Sequence, residues 1–391
     1  MDDIEEYKAL TSVFSAYYHF HQWEYDQLIK PRGIKYNSLP PDEQRLLPWY
    51  TQHTESLKQA INTNKQFTQF VALTICKQFG IEESPSSWYE AGHDDFDKVR
   101  SILLQLKREW GDEGEHERLV FERMICELNH KYPDFSARQH VNVLLPGCGL
   151  GRLVFEVVRN GYRAQGNEFS YHMLIMANFM LNFCSHPFQI HPYLHKFSNV
   201  CNRADQLRSV VILNHAGGTN GFEQLMLAHP DVPFMELMSM AAGSFTDLYG
   251  PDSLTTNSTS PNEFRATNKA HFEAVLTCFF LDTASNIIEY LKTIAYCLKK
   301  SGIWINLGPL LWHFENDFNT SHITLPSGEQ VPTIMKGLEL SRADLIQLIE
   351  DMGFQFEKMD THEQRTVTIY AADPRLLSNF TYHCEFWICS Q

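Results

Sequence analysis

Apolar side chains in the first 135 residues recur every three or four positions. The stretches YKALTSVFSAYYHF, FTQFVALTICKQF and DFDKVRSILLQLKREW all show this spacing, which places the apolar side chains on one face of an α-helix. No strand pattern precedes residue 140. The spacing therefore predicts a helical N-terminal region over residues 1–135.

From residue 141 onward, short apolar runs alternate with helical patterns. Strands are predicted at VNVLLP, YRAQGNE, HFEAVLTCFFLD and SGIWINLGP, and helices at LGRLVFEVVRN, SYHMLIMANFMLNF, TASNIIEYLKTIAYCLKK and LSRADLIQLIEDMGF. Strands that alternate with helices predict an α/β fold with a doubly wound, mostly parallel sheet. Two further strand candidates in the C-terminal tail predict an antiparallel edge of this sheet.

The segment 184–270 is less regular than its flanks. It contains HAGGTNG and DSLTTNSTSPNE, compositions that are typical of turns and loops. We therefore expect loops here, with a surface insertion at DSLTTNSTSPNE, within one α/β domain over residues 136–391.

Charge and composition narrow the classes of partner. The 391 residues include 47 Asp and Glu against 32 Lys and Arg, a net charge of -15 without a basic stripe, so we expect no nucleic-acid partner. Nine scattered cysteines form no CxxC pair, which predicts neither a zinc site nor a disulfide framework. The chain shows neither an apolar signal region nor an uncharged run of about 18 apolar residues. We expect no membrane association and a cytoplasmic location, with the nucleus left open.

The strongest local motif is a glycine-rich turn between a predicted strand and a predicted helix. It reads LPGCGLGR, with Gly147, Gly149 and Gly151, and the next predicted strand ends at Glu168. Glycines let the backbone approach a ligand closely, and a carboxylate in this position can accept hydrogen bonds from ribose hydroxyls. The GxGxG spacing favours S-adenosylmethionine over the pyrophosphate of NAD. A purely structural turn and an NAD-dependent oxidoreductase are the alternatives.

Longer stretches carry a resemblance to a known family. PGCGLGRLVFEVVRNGYRAQGNEFSYHMLIMANFMLN, TCFFLDTASNIIEY and GIWINLGPLLWHFEN resemble the signature of the carnosine N-methyltransferases, and SLPPDEQRLLPWY and REWGDEGEHER are also similar to family sequence. The resemblance covers most of the chain, with gaps near 205–235, 250–270 and 317–337, and these gaps imply insertions in the domain. It implies a Rossmann-like class I methyltransferase fold with S-adenosylmethionine as cofactor. The implied reaction is transfer of a methyl group to an imidazole nitrogen of carnosine, giving anserine.

The resemblance implies a set of cofactor-binding positions. Two of these positions, Gln105 and Arg108, lie on a predicted N-terminal helix. The alternative interpretation places both on an exposed helix face without any ligand contact. This chain has Ser where the family usually has Asp in Gly-Asp-Phe, so a single hydroxyl replaces a carboxylate that would accept a hydrogen bond from the adenine amino group. The implied positions are Gln105, Arg108, Gly147, Gly149, Arg152, Glu168, Ser244, Phe245 and Cys278.

Asp282 is the candidate catalytic residue, at the carboxyl end of a predicted central strand. Ligands of open α/β sheets bind at that edge. A carboxylate that accepts the imidazole N–H would fix the tautomer and stabilise the positive charge that develops on methylation. The alternative role is a cap for the helix that follows. The resemblance adds His313, Tyr370 and Tyr382 as substrate-binding residues, and Asn316 is a weaker candidate.

Several questions about the acceptor and the assembly stay open. The acceptor could instead be another histidine-containing peptide or a protein histidine, and the segment after Asn316 could form a lid that alters the choice. A regulatory protein that binds S-adenosylmethionine without catalysis is a further alternative, supported only by Ser244. The N-terminal helices could cover the active site or pair with a second copy in a homodimer.

Overall fold

The computed structural model describes most of the chain, in two compact units. The first unit comprises Met1–Arg118, Tyr171–Gly221 and Ile369–Phe380, and the second comprises Leu119–Ser170, Phe222–Thr368 and Thr381–Gln391. The described residues are 3–112, 114–213, 221–251, 262–317, 321–324, 330–333, 337–368, 375–377 and 380–391.

Helices and strands are numbered in chain order. The helices are α1 (Asp3–Glu24), α2 (Lys30–Asn37), α3 (Pro41–Gln44), α4 (Tyr50–Cys76), α5 (His93–Trp110), α6 (Glu115–Lys131), α7 (Arg152–Arg159), α8 (Tyr171–Asn178), α9 (Arg203–Gln206), α10 (Glu223–Ala228), α11 (Phe245–Tyr249), α12 (Asn262–Asn268), α13 (Ile287–Cys297) and α14 (Arg342–Asp351). The strands are β1 (Asn142–Pro146), β2 (Arg163–Glu168), β3 (Phe188–Ile190), β4 (Val210–Ile212), β5 (Met238–Ala242), β6 (Phe272–Cys278), β7 (Leu298–Gly308), β8 (Ser321–Thr324), β9 (Gln330–Thr333), β10 (Gln355–Met359), β11 (Thr366–Thr368) and β12 (Tyr382–Ser390).

The first unit is mainly helical. The apolar face predicted for α5 is buried: Val99, Ile102 and Leu106 are fully enclosed. The hydroxyl of Tyr17 on α1 donates to the carbonyl of His172 at 2.7 Å and so joins α1 to α8. The short strands β3 and β4 pair antiparallel in this unit. In the described part of the chain no helix combines the length and apolar character needed to cross a bilayer.

The second unit is built on one sheet with the order β10-β12-β7-β6-β1-β2-β5, and β11 pairs with β12 outside this order. Strands β1, β2, β5, β6 and β7 pair parallel, which confirms the doubly wound α/β prediction. The C-terminal strand β12 runs antiparallel to β7, as expected.

The position of β12 in the sheet differs from the prediction, because β10 covers its outer side. The six residues Cys384–Cys389 are all buried, whereas β10 is mostly exposed and carries Lys358 and Glu357. A strand that is buried on both faces belongs inside a sheet, and exposed charged side chains suit an edge.

Two further elements differ from the sequence pattern. Strand β5 lies in the segment expected to be irregular, and it forms because Met238–Ala242 pairs in register with β2. Helix α13 begins at Ile287, because the side chain of Asn286 accepts a hydrogen bond from the N–H of Ile288. Lys299, predicted at the end of this helix, lies in β7. Parts of the three predicted insertions lie outside the described residues, and the boundary at residue 135 stays a prediction.

Candidate active site

The glycine turn between β1 and α7 has a backbone that only glycine adopts without strain. The φ angles of Gly147, Gly149 and Gly151 are +62°, +56° and +78°, all in the left-handed region. A Cβ atom at Gly147 would also overlap the ring of Phe280. Gly147 is exposed at the carboxyl end of β1, whereas Gly149 and Gly151 are buried, so the turn presents the backbone of Gly147 to a ligand.

Glu168 stabilises this turn. One carboxylate oxygen accepts the N–H of Gly149 at 3.0 Å, and the other accepts the N–H groups of Phe169 and Ser170 at 2.8 and 2.9 Å. Through these hydrogen bonds, one carboxylate joins the glycine turn to the first two residues after β2. The sequence indicated a ligand contact for Glu168 and gave no sign of this structural role.

An aromatic cluster lies against the turn. The rings of Phe280 and Tyr290 stack with centroids 4.7 Å apart, and Phe245 packs edge-on against Phe280 at 5.4 Å. Phe245 was implied as an adenine neighbour and is 5% exposed. Phe280 and Tyr290 were not singled out from the sequence, although the double Phe in TCFFLD was an available signal.

Two other implied cofactor positions lie at the carboxyl ends of β5 and β6. Gly243 follows β5 and donates its N–H to the carbonyl of Glu168 at 2.9 Å, so Ser244 lies next to the end of β2. The Ser244 hydroxyl lies 3.2 Å from that of Thr246. Cys278 is half-buried and ends β6, opposite Leu307 of β7.

The prediction that Asp282 ends the central strand is wrong. The residue lies four residues beyond β6, in a 3₁₀ turn over Leu281–Thr283. The departure begins at Phe279, whose φ of +51° is a strained value for a bulky residue. Asp282 does not cap the following helix, because Asn286 does so. Its carboxylate is therefore available for another role.

The Asp282 carboxylate is buried beside the loop that follows β7. It accepts the N–H of Leu311 at 3.2 Å, while the Asp282 carbonyl accepts the N–H of His313 at 2.9 Å. The residue is only 3% exposed. Burial raises the pKa of Asp282 from 3.8 to about 6, although nearby His313 acts to lower it. At neutral pH the structure thus holds a poorly solvated carboxylate that would gain from a positively charged partner.

The predicted substrate-binding residues are distributed around Asp282. His313 is exposed and its backbone is tied to Asp282, whereas Asn316 is exposed further along the same loop. Tyr382 begins β12, and its ring meets the ring of Phe279 edge-on at 5.8 Å. Tyr370 lies outside the described residues, as does much of the predicted lid, of which β8 and β9 form a described antiparallel pair.

Cys384 is a further neighbour that the sequence did not indicate. Its thiol is fully buried on β12. Burial, together with a smaller effect of the nearby Asp282 charge, raises its pKa to about 12. Two residues after Tyr382 on the same strand, Cys384 places β12 beside the Asp282 turn.

The implied arginines are already paired within their own units. In the first unit, Gln105 and Arg108 both donate to the same carboxylate oxygen of Glu109, at 2.8 and 3.0 Å. Arg108 is 8% exposed, so it does not lie on an exposed helix face. In the second unit, Arg152 is buried and pairs with Glu156, with the Nη2 to Oε1 distance 2.6 Å.

Comparisons with known proteins agree with one another. A family model described as Carnosine N-methyltransferase matches residues 85–391. The carnosine N-methyltransferase of Schizosaccharomyces pombe is 33% identical, over 99% of this chain and 96% of its own length. Those of Mus musculus and Dictyostelium discoideum are both 32% identical, over 90% and 99% of this chain and 79% and 76% of their own lengths. A methyltransferase structure from Mesorhizobium loti aligns at 10% identity with a TM-score of 0.33, over 68% of this chain and 96% of that chain, a likeness too low to carry an argument.

Proposed function

The chain belongs to the carnosine N-methyltransferase family, and we propose that it transfers the methyl group of S-adenosylmethionine to an imidazole nitrogen of carnosine, giving anserine. The main structural support for this reaction is the buried carboxylate of Asp282, which accepts a hydrogen bond from the loop that follows β7. Related histidine-containing dipeptides present the same imidazole and belong to the same proposal.

The residues of the second unit fit the cofactor. S-adenosylmethionine supplies an electrophilic methyl group on a sulfonium. The backbone of Gly147 and Gly149 would hold its methionyl part, and Glu168 at the end of β2 would receive its ribose. Because Glu168 already accepts three backbone N–H bonds, the ribose hydroxyls would share this carboxylate with the turn.

Other cofactor contacts are carried by the family resemblance. Phe245, Ser244 and Cys278 would line the adenine side, near the aromatic cluster of Phe280 and Tyr290. Gln105, Arg108 and Arg152 would act on the methionyl side, with the pairing of both arginines to glutamates limiting their motion. Substitution of each residue, followed by calorimetric titration with S-adenosylhomocysteine, tests these assignments.

Asp282 would act on the acceptor. Its carboxylate accepts the N–H of the substrate imidazole, which leaves the other ring nitrogen with its lone pair free for attack. As that nitrogen gains a methyl group, positive charge develops on the ring. A buried carboxylate stabilises this charge more strongly than water does.

His313 and Tyr382 would position the dipeptide beside Asp282. His313 follows β7, the strand beside β6, and Tyr382 begins β12, the next strand in the sheet. Their polar groups can bond the amide or carboxylate of the substrate while their rings exclude water. Tyr370 and the weaker candidate Asn316 complete the proposed set.

Transfer of labelled methyl from S-adenosylmethionine to carnosine by the purified chain tests the function. Formation of labelled anserine, with the methylated nitrogen identified by NMR, is the expected result. Binding of S-adenosylhomocysteine without transfer to carnosine would contradict it. Transfer to other peptides or to protein histidines would then favour the alternative acceptors, and no transfer to any imidazole would favour the regulatory protein suggested by Ser244.

Domain organisation, assembly and location complete this proposal. The helical region 1–135 would contribute to the active site of the domain 136–391, or pair with a second copy, and sedimentation of the purified chain distinguishes a monomer from a homodimer. A cytoplasmic or nuclear location, without nucleic-acid binding, is testable by microscopy of a tagged chain and by gel shift.

A further inference from the structure

The first unit contains a cavity of about 410 Å³ that no step of the proposed reaction uses. Its walls come from residues 28–32 around the start of α2, from residues 49–57 around the start of α4 and from the segment 197–206. All three segments belong to the first unit. The volume lies within the range of about 300–1,000 Å³ that is common for small-molecule sites.

Aromatic and aliphatic side chains form much of the wall. Trp49, Tyr50 and Phe197 supply three rings, and the buried Leu28 and Leu57 add aliphatic surface. Such walls suit a flat ring, because ring faces and edges pack favourably against aromatic side chains.

The charged groups that line the cavity are cationic. The guanidinium of Arg32 lies over the ring of Phe197 at 3.2 Å, and that of Arg203 lies over Trp49 at 3.9 Å. No Asp or Glu lines this cavity, and no described carboxylate forms an ion pair with either arginine. In a chain with 47 acidic and 32 basic residues, two such arginines in one cavity favour an anionic ligand.

Uncharged polar groups of the cavity are partly fixed and partly unsatisfied. Gln206 is 3% exposed and donates to the carbonyl of Leu194 at 2.8 Å. Its amide oxygen therefore faces Nε2 of His53, at 2.9 Å, so Nε2 donates and Nδ1 of the neutral ring is left as an acceptor. Burial lowers the pKa of His53. The hydroxyl of Tyr50 is buried without a hydrogen-bond partner among the described residues, a condition that a ligand would relieve.

We propose that this cavity binds a small organic anion that combines a flat aromatic ring with a carboxylate or phosphate. The ring packs against Trp49 and Phe197, and the anionic group pairs with Arg32 and Arg203. The Tyr50 hydroxyl donates to the ligand. None of these residues is assigned to methyl transfer, so the ligand is neither the cofactor nor the dipeptide.

Isothermal titration of the full chain with four probes tests the ligand chemistry. Adenosine monophosphate and benzoate carry both a ring and an anion, whereas adenosine carries only the ring and inorganic phosphate only the anion. Saturating S-adenosylhomocysteine keeps the probes from the cofactor site. At least one of the two complete probes should bind with a Kd below about 1 mM and about tenfold more tightly than adenosine or phosphate. Failure of both complete probes to bind overturns the proposal.

Three variants locate the binding. Arg32→Gln and Arg203→Gln should each weaken binding of the complete probe by about 10- to 100-fold, the usual effect of losing a charged hydrogen bond. Tyr50→Phe removes only the hydroxyl and should weaken it less. Arg45→Gln, at an exposed arginine of the same unit, is the matched control and should leave binding unchanged.

The same variants separate loss of the ligand contact from misfolding and from dimerisation. Methyl transfer and circular dichroism should be unaltered in all of them, and if an arginine variant misfolds, Tyr50→Phe still reports on the cavity. Probe binding that is equal in all variants overturns the proposal. So does a wild-type dimer that Arg32→Gln converts to a monomer without any probe binding, since a second copy would then cover the cavity.

Discussion

Replacing Asp282 with Asn should abolish most activity while leaving the protein at least as stable. The two side chains have nearly the same shape, so the substitution removes the charge with little change in packing. Loss of a group that stabilises charge in the transition state costs about 10²–10³ in kcat, or about 3–4 kcal/mol. We expect a decrease of this size for methyl transfer to carnosine.

The stability change has the opposite sign because the Asp282 charge is poorly solvated. Burial raises the pKa of Asp282 from 3.8 to about 6, so above pH 6 the charge destabilises the folded state by about 3 kcal/mol. The amide of Asn needs an acceptor for its N–H groups, which reduces the expected gain to about 1–2 kcal/mol. For 391 residues, the average unfolding entropy converts this gain into a Tm increase of about 1–2 °C.

The assay compares both chains at a pH of about 8, where the substrate imidazole is neutral. Initial rates with labelled S-adenosylmethionine give kcat and KM, titration with S-adenosylhomocysteine tests the cofactor site, and calorimetry gives Tm. The folded state binds a proton at Asp282 more tightly than the unfolded state, so wild-type stability relative to the variant should fall as pH rises from about 4 to 6. A kcat within tenfold of the wild type, or a variant Tm lower by several degrees, would refute the reasoning.

Three further outcomes follow from the site. Gly147→Ala should lose at least about tenfold in cofactor affinity and about 2–4 kcal/mol in stability, because the Cβ overlaps Phe280 and the left-handed backbone is strained. The control Gly80→Ala, with φ of +68° and nothing within 4 Å, should lose only about 1 kcal/mol of stability. Equal losses of stability in the two variants would contradict the role of packing against Phe280. Ser244→Asp should tighten S-adenosylmethionine binding by about tenfold in calorimetric titration, with Ser244→Asn as the uncharged comparison; unchanged affinity would mean that this side chain does not reach the adenine. Finally, the wild-type log(kcat/KM) should fall with a slope of two as the pH decreases below about 6, because both ionised Asp282 and neutral substrate imidazole are required. The residual activity of Asp282→Asn should fall with a slope of one. A slope of one for the wild type would mean that ionised Asp282 is not required for the reaction.

Local features of the sequence determined a large part of the fold. The helical spacing of Val99, Ile102 and Leu106 predicted α5 and its buried face, because a period near 3.6 has only one backbone that keeps these side chains together. The glycines at 147, 149 and 151 predicted a tight turn, because side chains are excluded from such a backbone, and the structure adds that φ is positive at all three. Strands β1 and β2, on either side of this turn and α7, followed from the same local pattern.

Contacts between distant residues were decided by the tertiary structure alone. MSMAA became a strand because β2 offered it a partner, although its own residues show little strand preference. Asp282 left the strand end because the chain turns at Phe279, and its raised pKa arises from burial beside a loop about 30 residues later. Glu168 holds the glycine turn across 19 residues of sequence. Residue spacing reports the periodicity of one segment, whereas strand pairing, burial and the state of buried charges depend on which segments meet. The sequence therefore identified Asp282 and Glu168 as candidates, and the folded chain determined their surroundings.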